Sequence, residues 1–314
     1  MSADPLVVEV VRSGVCESVH LLDVVVVDGA GNVVASAGDP SCPAAFRSSA
    51  KPIQARASIR SGWVPVDDSA LAIACASHGG EPAHVAAVRA ILTAAGLPEA
   101  ALACPPDVPV DPAAALAVSA RAAIYHNCSG KHAAMLAASI AAGWSPERYL
   151  EPDHPVQQAV RELVAELFGT RPRELVDGCG APTVVAELAV LARAFLRLDG
   201  GPEAAAMRAH PFLIGGTRRV DTDVMTAVPA LLVKSGAEGL TCVAGPGIGI
   251  ALKARDGAAR PRGPALLYVL NALGLIDQSQ TEALFEHGTG PVLGGGHPVG
   301  RARVRGRLSG SGIR

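Results

Sequence analysis

Phe46-Arg47-Ser48-Ser49-Ala50-Lys51-Pro52-Ile53-Gln54 is the segment that points most directly to a fold. Ser48 and Lys51 are three residues apart, so on a helix both side chains project from one face. Proline is tolerated in the first helical turn, where its missing N–H is not needed, so a helix containing Pro52 cannot begin much before Ser48. The sequence therefore predicts Ser48 at a helix N-terminus, where free N–H groups and the helix dipole favour developing negative charge.

A serine followed three residues later by a lysine is the S-x-x-K arrangement of penicillin-recognising enzymes. In such a pair the lysine can act as base for the serine hydroxyl when burial keeps the amine partly neutral. The pattern also arises often by chance. The alternative interpretation is a helix-capping serine beside a solvated lysine.

Two later segments favour the catalytic interpretation. Residues 231–236 form a strand-like run that ends in Lys234-Ser235-Gly236, close to the K-T-G element of the same enzymes. The alternative for Lys234 is a charge that marks the end of a buried strand. Ser77, in Cys75-Ala76-Ser77-His78, can supply a second hydroxyl facing Lys234. The spacing leaves open whether His78 is a structural hydrogen-bonder or a base.

The elements on either side of these motifs indicate the fold class. Strands are predicted over 6–11, 19–27, 33–36, 228–234, 239–244, 248–254 and 301–308. Helices are predicted over 69–76, 82–95, 130–142, 155–168, 183–197, 263–273 and 279–287. This order favours an α+β fold whose mostly antiparallel sheet is built from both chain ends, with helices on its faces and a helical insertion. We predict a sheet-containing domain over 1–50 and 205–314 and a mainly helical domain over 51–204.

Composition excludes several classes of function. The 314 residues are 49% hydrophobic and 18% charged, which is typical of a globular protein rather than a disordered one. Lys and Arg number 27 against 29 Asp and Glu, so no basic excess favours a nucleic-acid partner. No uncharged run is long enough to span a membrane, and no secretory signal is visible, so we expect neither a membrane partner nor export. Seven scattered cysteines favour free thiols or metal ligands in a reducing cytosol.

Two cysteine-containing segments raise the question of a metal. Cys128 lies in a run with His126, Lys131 and His132, and Cys179 lies in a Gly-rich turn after Asp177. Thiols and imidazoles that meet across the fold would form a soft N/S site suited to zinc. The spacing is not that of a recognised zinc finger. Buried free cysteines that bind nothing are the alternative.

Five motifs, in this order, resemble the asparaginase II family, the rhizobial-type third class of L-asparaginases. They are Arg47-Ser48-Ser49-Ala50-Lys51-Pro52-x-Gln54, Cys75-Ala76-Ser77-His78, Asn127-Cys128-Ser129-Gly130-Lys131-His132, Asp177-Gly178-Cys179-Gly180-Ala181-Pro182 and Val233-Lys234-Ser235-Gly236-Ala237-Glu238-Gly239. The family's fold resembles serine β-lactamases, penicillin-binding proteins and serine-dependent glutaminases. The resemblance implies hydrolysis of L-asparagine to L-aspartate and ammonia in the cytoplasm by a homodimer.

The resemblance also implies roles for individual residues. It pairs Ser48 with Lys51 and Ser77 with Lys234, and it places a zinc ion on Cys128, Lys131 and Cys179. The expected substrate-binding residues are Arg47, His78, Asn127, Asp177 and Gly178, with Asp177 holding the substrate α-ammonium group and Arg47 orienting the site electrostatically. Asp221 stands where some family members carry a cysteine close to the substrate, which is a departure that bears on substrate preference.

The mechanism expected from these residues is acyl transfer. Lys51 takes the proton of Ser48, whose oxygen attacks the side-chain amide, and water then hydrolyses the aspartyl ester. The sequence does not decide whether Ser48 or Ser77 attacks, or whether the zinc is catalytic or structural. The alternatives are a glutaminase or penicillin-recognising amide hydrolase, a zinc-dependent amidohydrolase that uses metal-activated water, and a non-catalytic asparagine-binding or thiol-sensing protein.

Overall fold

The computed structural model describes residues 3–310. Its strands are β1 (Leu6–Arg12), β2 (Val15–Asp28), β3 (Val33–Ala37), β4 (Pro43–Ala45), β5 (Arg173–Val176), β6 (Pro182–Glu187), β7 (Leu232–Ser235), β8 (Leu240–Gly245), β9 (Ile248–Ala254), β10 (Val292–Gly294), β11 (His297–Arg305) and β12 (Ser309–Gly310). With 40% helix and 23% strand, the chain has the predicted α+β composition.

Most of the helices lie between β4 and β7, and the last ones lie between β9 and β10. They are α1 (Lys51–Arg60), α2 (Asp68–Ala74), α3 (Pro82–Ala94), α4 (Pro112–Leu116), α5 (Ser129–Ala141), α6 (Pro155–Phe168), α7 (Leu188–Leu196), α8 (Pro202–Ala209), α9 (Pro211–Gly215), α10 (Val220–Ala227), α11 (Arg262–Ala272), α12 (Gln278–Ala283) and α13 (Phe285–Thr289). Short 3₁₀ turns cover Arg47–Ala50, Glu99–Ala101 and Ala123–Tyr125. Within residues 3–310, no helix combines the length and apolar character needed to cross a bilayer.

The chain forms two compact units. The sheet unit comprises the described residues up to Ser49, Ala186–Asp199 and the described residues from Val224 onward. The helical unit comprises Ala50–Val185 and Gly200–Asp223. Lys51, Ser77 and the three predicted zinc ligands therefore all belong to the helical unit.

The main sheet runs in the order β10-β11-β1-β2-β9-β8-β7, and β3 pairs with both β2 and β12. The neighbours are antiparallel, and strands from the beginning of the chain lie beside strands from its end. The middle of β2 is buried from Leu22 to Val27, so it forms part of the core of the sheet unit. Helices α7 and α11 pack on this sheet. The prediction of an antiparallel sheet built from both chain ends is confirmed.

One predicted helix was wrong in its first part. The prediction covered 183–197, but residues Pro182–Glu187 form strand β6 and the helix begins at Leu188. Thr183, Val184 and Val185 are β-branched and fit a pleated strand, and β6 pairs with β5 in an antiparallel ladder. Local β propensity and pairing therefore prevail over the apolar helical spacing in this segment.

In the helical unit, α1 packs against α2, α5, α6 and α8. Most of α1 is buried, including its polar residues Lys51, Gln54 and Ser58. Buried polar side chains require partners, so the placement of α1 determines where the Lys51 amine can find acceptors.

A buried ion pair in the sheet unit gives a pH-dependent prediction. The Asp23 carboxylate, 1% exposed, accepts from the Arg255 guanidinium and from the Asp39 N–H at 2.8 Å. Burial alone raises the pKa of Asp23, but the bonds from Arg255 and Asp39 outweigh it and hold the pKa below its usual value. Because the folded pKa is lowered, this stabilisation is present above about pH 4 and is lost as pH falls through the folded value.

We therefore expect Asp23→Asn to lower the free energy of unfolding by about 2 kcal/mol at pH 7. The difference from wild type should shrink as the pH falls below about 4. Urea denaturation at several pH values measures it, with the exposed Asp153→Asn as a matched control. If the free energy of unfolding of Asp23→Asn stayed below that of wild type by the same amount down to pH 2, this prediction would be wrong.

Candidate active site

The turn that carries Ser48 differs from the prediction. Arg47–Ala50 is a 3₁₀ turn, and helix α1 begins at Lys51 with Ala50 as its N-cap. Pro52 lies in the first turn, as the absence of its N–H requires. Ser48 therefore lies in the turn that precedes α1, rather than at the N-terminus of the α-helix. The preceding residue, Arg47, has φ 46°, a left-handed conformation that costs energy in a non-glycine residue.

This turn is attached to strand β7 within the sheet unit. The buried Ser49 hydroxyl donates to the Lys234 carbonyl oxygen at 3.0 Å. The Lys234 side chain is fully buried, and its ammonium donates to the Ser235 carbonyl at 2.9 Å. Arg47, Ser48 and Lys234 thus belong to one unit. The pairing of Ser48 with Lys51 and of Ser77 with Lys234 stays a prediction.

The Lys51 side chain is fully buried at the start of α1. Its Nζ lies 2.6 Å from the Ala76 carbonyl oxygen, 3.1 Å from the Asn127 carbonyl oxygen and 2.9 Å from Ser77 Oγ. The carbonyls can only accept, so they orient two N–H bonds of the amine and leave its third tetrahedral position facing Ser77. When that position holds a hydrogen, Lys51 donates to Ser77. When it holds a lone pair, Lys51 can accept the Ser77 proton.

Ser77 lies just after α2, and the neighbouring His78 ring bonds to the protein through both nitrogens. His78 Nδ1 accepts from the Gly80 N–H, so the neutral ring donates from Nε2 to Ser129 Oγ at 3.0 Å. Burial, aided by His84 and Lys51, lowers the pKa of His78 well below its usual value. Both ring nitrogens thus bond to the protein, and the geometry favours the structural alternative for His78.

The predicted metal ligands Cys128, Lys131 and Cys179 come together in the helical unit. Cys128 is the N-cap of α5, and Lys131 lies in its first turn. The Cys179 thiol donates to the Cys128 sulfur, and this bond lowers the pKa of Cys128 against the opposing effect of burial. The Lys131 amine contacts the Cys179 sulfur. All three side chains are buried.

Asp177 and Asn127 adjoin this cluster. Asp177 Oδ2 lies 3.7 Å from Lys131 Nζ, and its Oδ1 accepts from the Gly178 N–H at 2.8 Å. Burial opposes the charge on Lys131, but the two thiols and Asp177 outweigh it and raise the pKa of the amine. Asn127 Oδ1 lies 3.1 Å from the Cys128 sulfur. The cluster thus places a positive and a negative charge side by side within the helical unit.

Sequence reasoning missed several residues that hold this arrangement. The carbonyls of Ala76 and Asn127 orient Lys51, and Ser129 connects His78 to the Ile124 carbonyl through its own hydroxyl. Every residue has a backbone carbonyl, so the amino-acid sequence does not show which carbonyls accept hydrogen bonds from Lys51. Ser129 lies within the Asn127–His132 motif, and its membership of that motif is the signal that could have identified it.

Comparison with known proteins shows the family. The sequence model of L-asparaginase II matches residues 8–304 of the chain. The chain belongs to the L-asparaginase II family. This confirms the resemblance, and it places the chain among amide-hydrolysing enzymes.

The other comparisons give little beyond the L-asparaginase II match. The crystal structure of Mglu in its native form is similar to this chain, with 14% identity and a TM-score of 0.46. The alignment covers 83% of this chain and 66% of that one, so this chain spans somewhat less than two thirds of its length. The search of curated proteins found no match.

Proposed function

We propose that the protein hydrolyses the side-chain amide of L-asparagine to give L-aspartate and ammonia. Membership of the L-asparaginase II family supports the reaction class. The observation that carries the mechanism is the 2.9 Å contact between Lys51 Nζ and Ser77 Oγ, with two carbonyls orienting the amine. We assign Ser77 as the nucleophile and Lys51 as its base.

The reaction proceeds in two steps that balance. Ser77 Oγ attacks the amide carbon as its proton passes to the neutral Lys51 amine. Lys51 then returns this proton to the leaving nitrogen, the C–N bond breaks and ammonia departs, which leaves an aspartyl ester on Ser77. Water attacks the ester with Lys51 again as base, and the ester oxygen recovers the proton as Ser77. The resemblance pairs Ser48 with Lys51 and Ser77 with Lys234, whereas this assignment takes Lys51 as the base for Ser77. Ser48 and Lys234 stay predicted catalytic residues.

The substrate is a zwitterion, and the buried cluster contains complementary charges. Asp177 is 7% exposed and lies beside Lys131, so a ligand that reaches it meets a carboxylate in surroundings of reduced dielectric. We assign Asp177 to the substrate α-ammonium group. Gly178 supports this role because its N–H orients the carboxylate. Membership of the L-asparaginase II family is the basis for naming asparagine rather than glutamine.

The donor set fits zinc through Cys128, Lys131 and Cys179. Two contacting sulfurs, one with a lowered pKa, are ligands that zinc prefers. Among the described residues no three His, Cys, Asp or Glu side chains are arranged to hold a metal. We assign Lys131 as the third donor because the resemblance implies it. Its amine carries a proton beside Asp177, and zinc binding must displace that proton. When bound, zinc would supply a positive charge that organises the substrate pocket.

Ammonia release from a panel of amides tests this function. We expect L-asparagine to be the best substrate, with zinc bound to wild type and lost from Cys179→Ser. Preference for glutamine in this assay, or hydrolysis of a β-lactam measured by the loss of its ring absorbance, would favour the related amide hydrolases instead. No ammonia release from any amide would favour a non-catalytic binding protein. The resemblance also supports a homodimer in the cytoplasm, and the mass in solution tests the dimer.

A further inference from the structure

A short segment outside the proposed catalytic set holds the backbone of Ser77. Residues 211–217, called here the 211–217 segment, comprise helix α9 and the two residues that follow it. The Ser77 N–H donates to the carbonyl of Ile214 in this segment at 2.9 Å. The position of Ser77 therefore depends on where the 211–217 segment lies, as well as on Lys51.

The first turn of α3 anchors this segment through Glu81. The Glu81 carboxylate accepts from the Thr217 N–H at 3.3 Å and from the Thr217 hydroxyl. Glu81 is the N-cap of α3 and is 8% exposed, whereas Thr217 lies at the surface. A carboxylate at this depth requires its donors, so the contact resists opening.

Gly216 makes room for this contact. It has φ 101°, which favours glycine, and a Cβ at this position would lie 2.1 Å from Glu81 Oε2. The absence of a side chain at residue 216 therefore lets the Glu81 carboxylate lie against the backbone there and reach Thr217.

Two further bonds fix the same segment. His84 Nδ1 accepts from the Glu81 N–H, so its Nε2 carries the hydrogen and donates to the Phe212 carbonyl at 3.0 Å. The Thr222 hydroxyl accepts from the Gly216 N–H and donates to the Pro211 carbonyl, both at 3.2 Å. Several hydrogen bonds thus hold the 211–217 segment, and the Glu81 carboxylate is the charged group among their partners.

We propose that Glu81 is a positioning residue for Ser77, acting through Thr217 and the 211–217 segment. This inference rests on the proposed function, in which Ser77 attacks the substrate. Glu81 contacts neither substrate nor Lys51 in this account. It sets the Ser77 loop so that the hydroxyl stays within bonding distance of the Lys51 amine, and small displacements of a nucleophile are costly.

The test removes one hydroxyl from an exposed residue, so the variants should fold. We expect Thr217→Val to lower kcat for asparagine roughly tenfold with KM within about twofold, because the attack geometry is affected rather than ground-state binding. Thr217→Ser, which retains the hydroxyl, should restore kcat to within about twofold of wild type. Thr93→Val, the same change at an exposed position of α3, is the matched control. Glu81→Gln should change kcat in the same direction as Thr217→Val.

Hydrogen exchange gives a readout that does not depend on activity. The Ser77 amide should exchange faster in Thr217→Val and in Glu81→Gln than in wild type, because its acceptor at Ile214 is less firmly held. Unchanged exchange and kcat in both variants would overturn the proposal, as would equal losses in Thr217→Val and Thr217→Ser. If wild type released no ammonia from asparagine, the proposed function would fail, and exchange at Ser77 would still decide the positioning role.

Discussion

Ser77→Ala is expected to lower kcat for asparagine hydrolysis by about 1,000-fold or more. The variant removes the oxygen that attacks the amide carbon, and loss of a nucleophile abolishes most of the rate enhancement in serine hydrolases. The Lys51 amine keeps its two carbonyl partners, Ala76 and Asn127, so it stays in place. Ser77 is half-buried, and a smaller side chain fits there.

Steady-state ammonia release measures this effect, with the exposed Ser119→Ala as control. The control should retain wild-type kcat, and Ser77→Ala should still bind asparagine in calorimetry. Substantial activity in Ser77→Ala, together with complete loss in Cys179→Ser, would instead favour metal-activated water as the nucleophile. The same comparison with Ser48→Ala tests the other predicted serine.

Gly130→Ala is expected to lower the free energy of unfolding by roughly 3 kcal/mol or more. Gly130 lies in α5 where the helix meets α2, and a Cβ there would lie 2.1 Å from the Ile73 carbonyl oxygen. The obstacle is backbone, so a side-chain rotation cannot relieve it. Alanine's better helix propensity recovers only about 1 kcal/mol.

Urea denaturation of wild type and variant measures the loss. Gly200→Ala is a matched control, because a Cβ at Gly200 meets no atom within 4 Å and its φ is not positive. A Gly130→Ala protein as stable as wild type would show that α2 and α5 do not approach this closely. The expected clash also gives a packing reason for the glycine in the Asn127–His132 motif.

Residue patterns within short segments predicted much of the secondary structure. They failed where contacts between distant segments determine the structure. Proline chemistry located the start of α1 to within three residues, at Lys51 rather than Ser48. Apolar spacing predicted a helix from residue 183, but β-branched residues and pairing with β5 make 182–187 a strand. In this segment the spacing of apolar residues favours a helix, whereas the β-branched residues favour a strand. Pairing with β5 determines that the segment is a strand.

In the candidate site, too, patterns within short segments identified some residues, and contacts between distant segments determined the rest. Helical spacing pointed from Lys51 to Ser48, whereas the hydroxyl that contacts Lys51 in the helical unit is Ser77, 26 residues further along. Packing of α1 against α2 creates that contact, and no local pattern encodes it. The resemblance named Cys128, Lys131 and Cys179 together, but the place of Asp177 beside Lys131 required the fold.

Rapid quenching of the asparagine reaction, followed by peptide mapping, tests the central claim most directly. We expect an aspartyl ester on Ser77, formed with a burst of ammonia and absent from Ser77→Ala. An ester on Ser48 instead, or steady ammonia release with no ester on any serine, would contradict it.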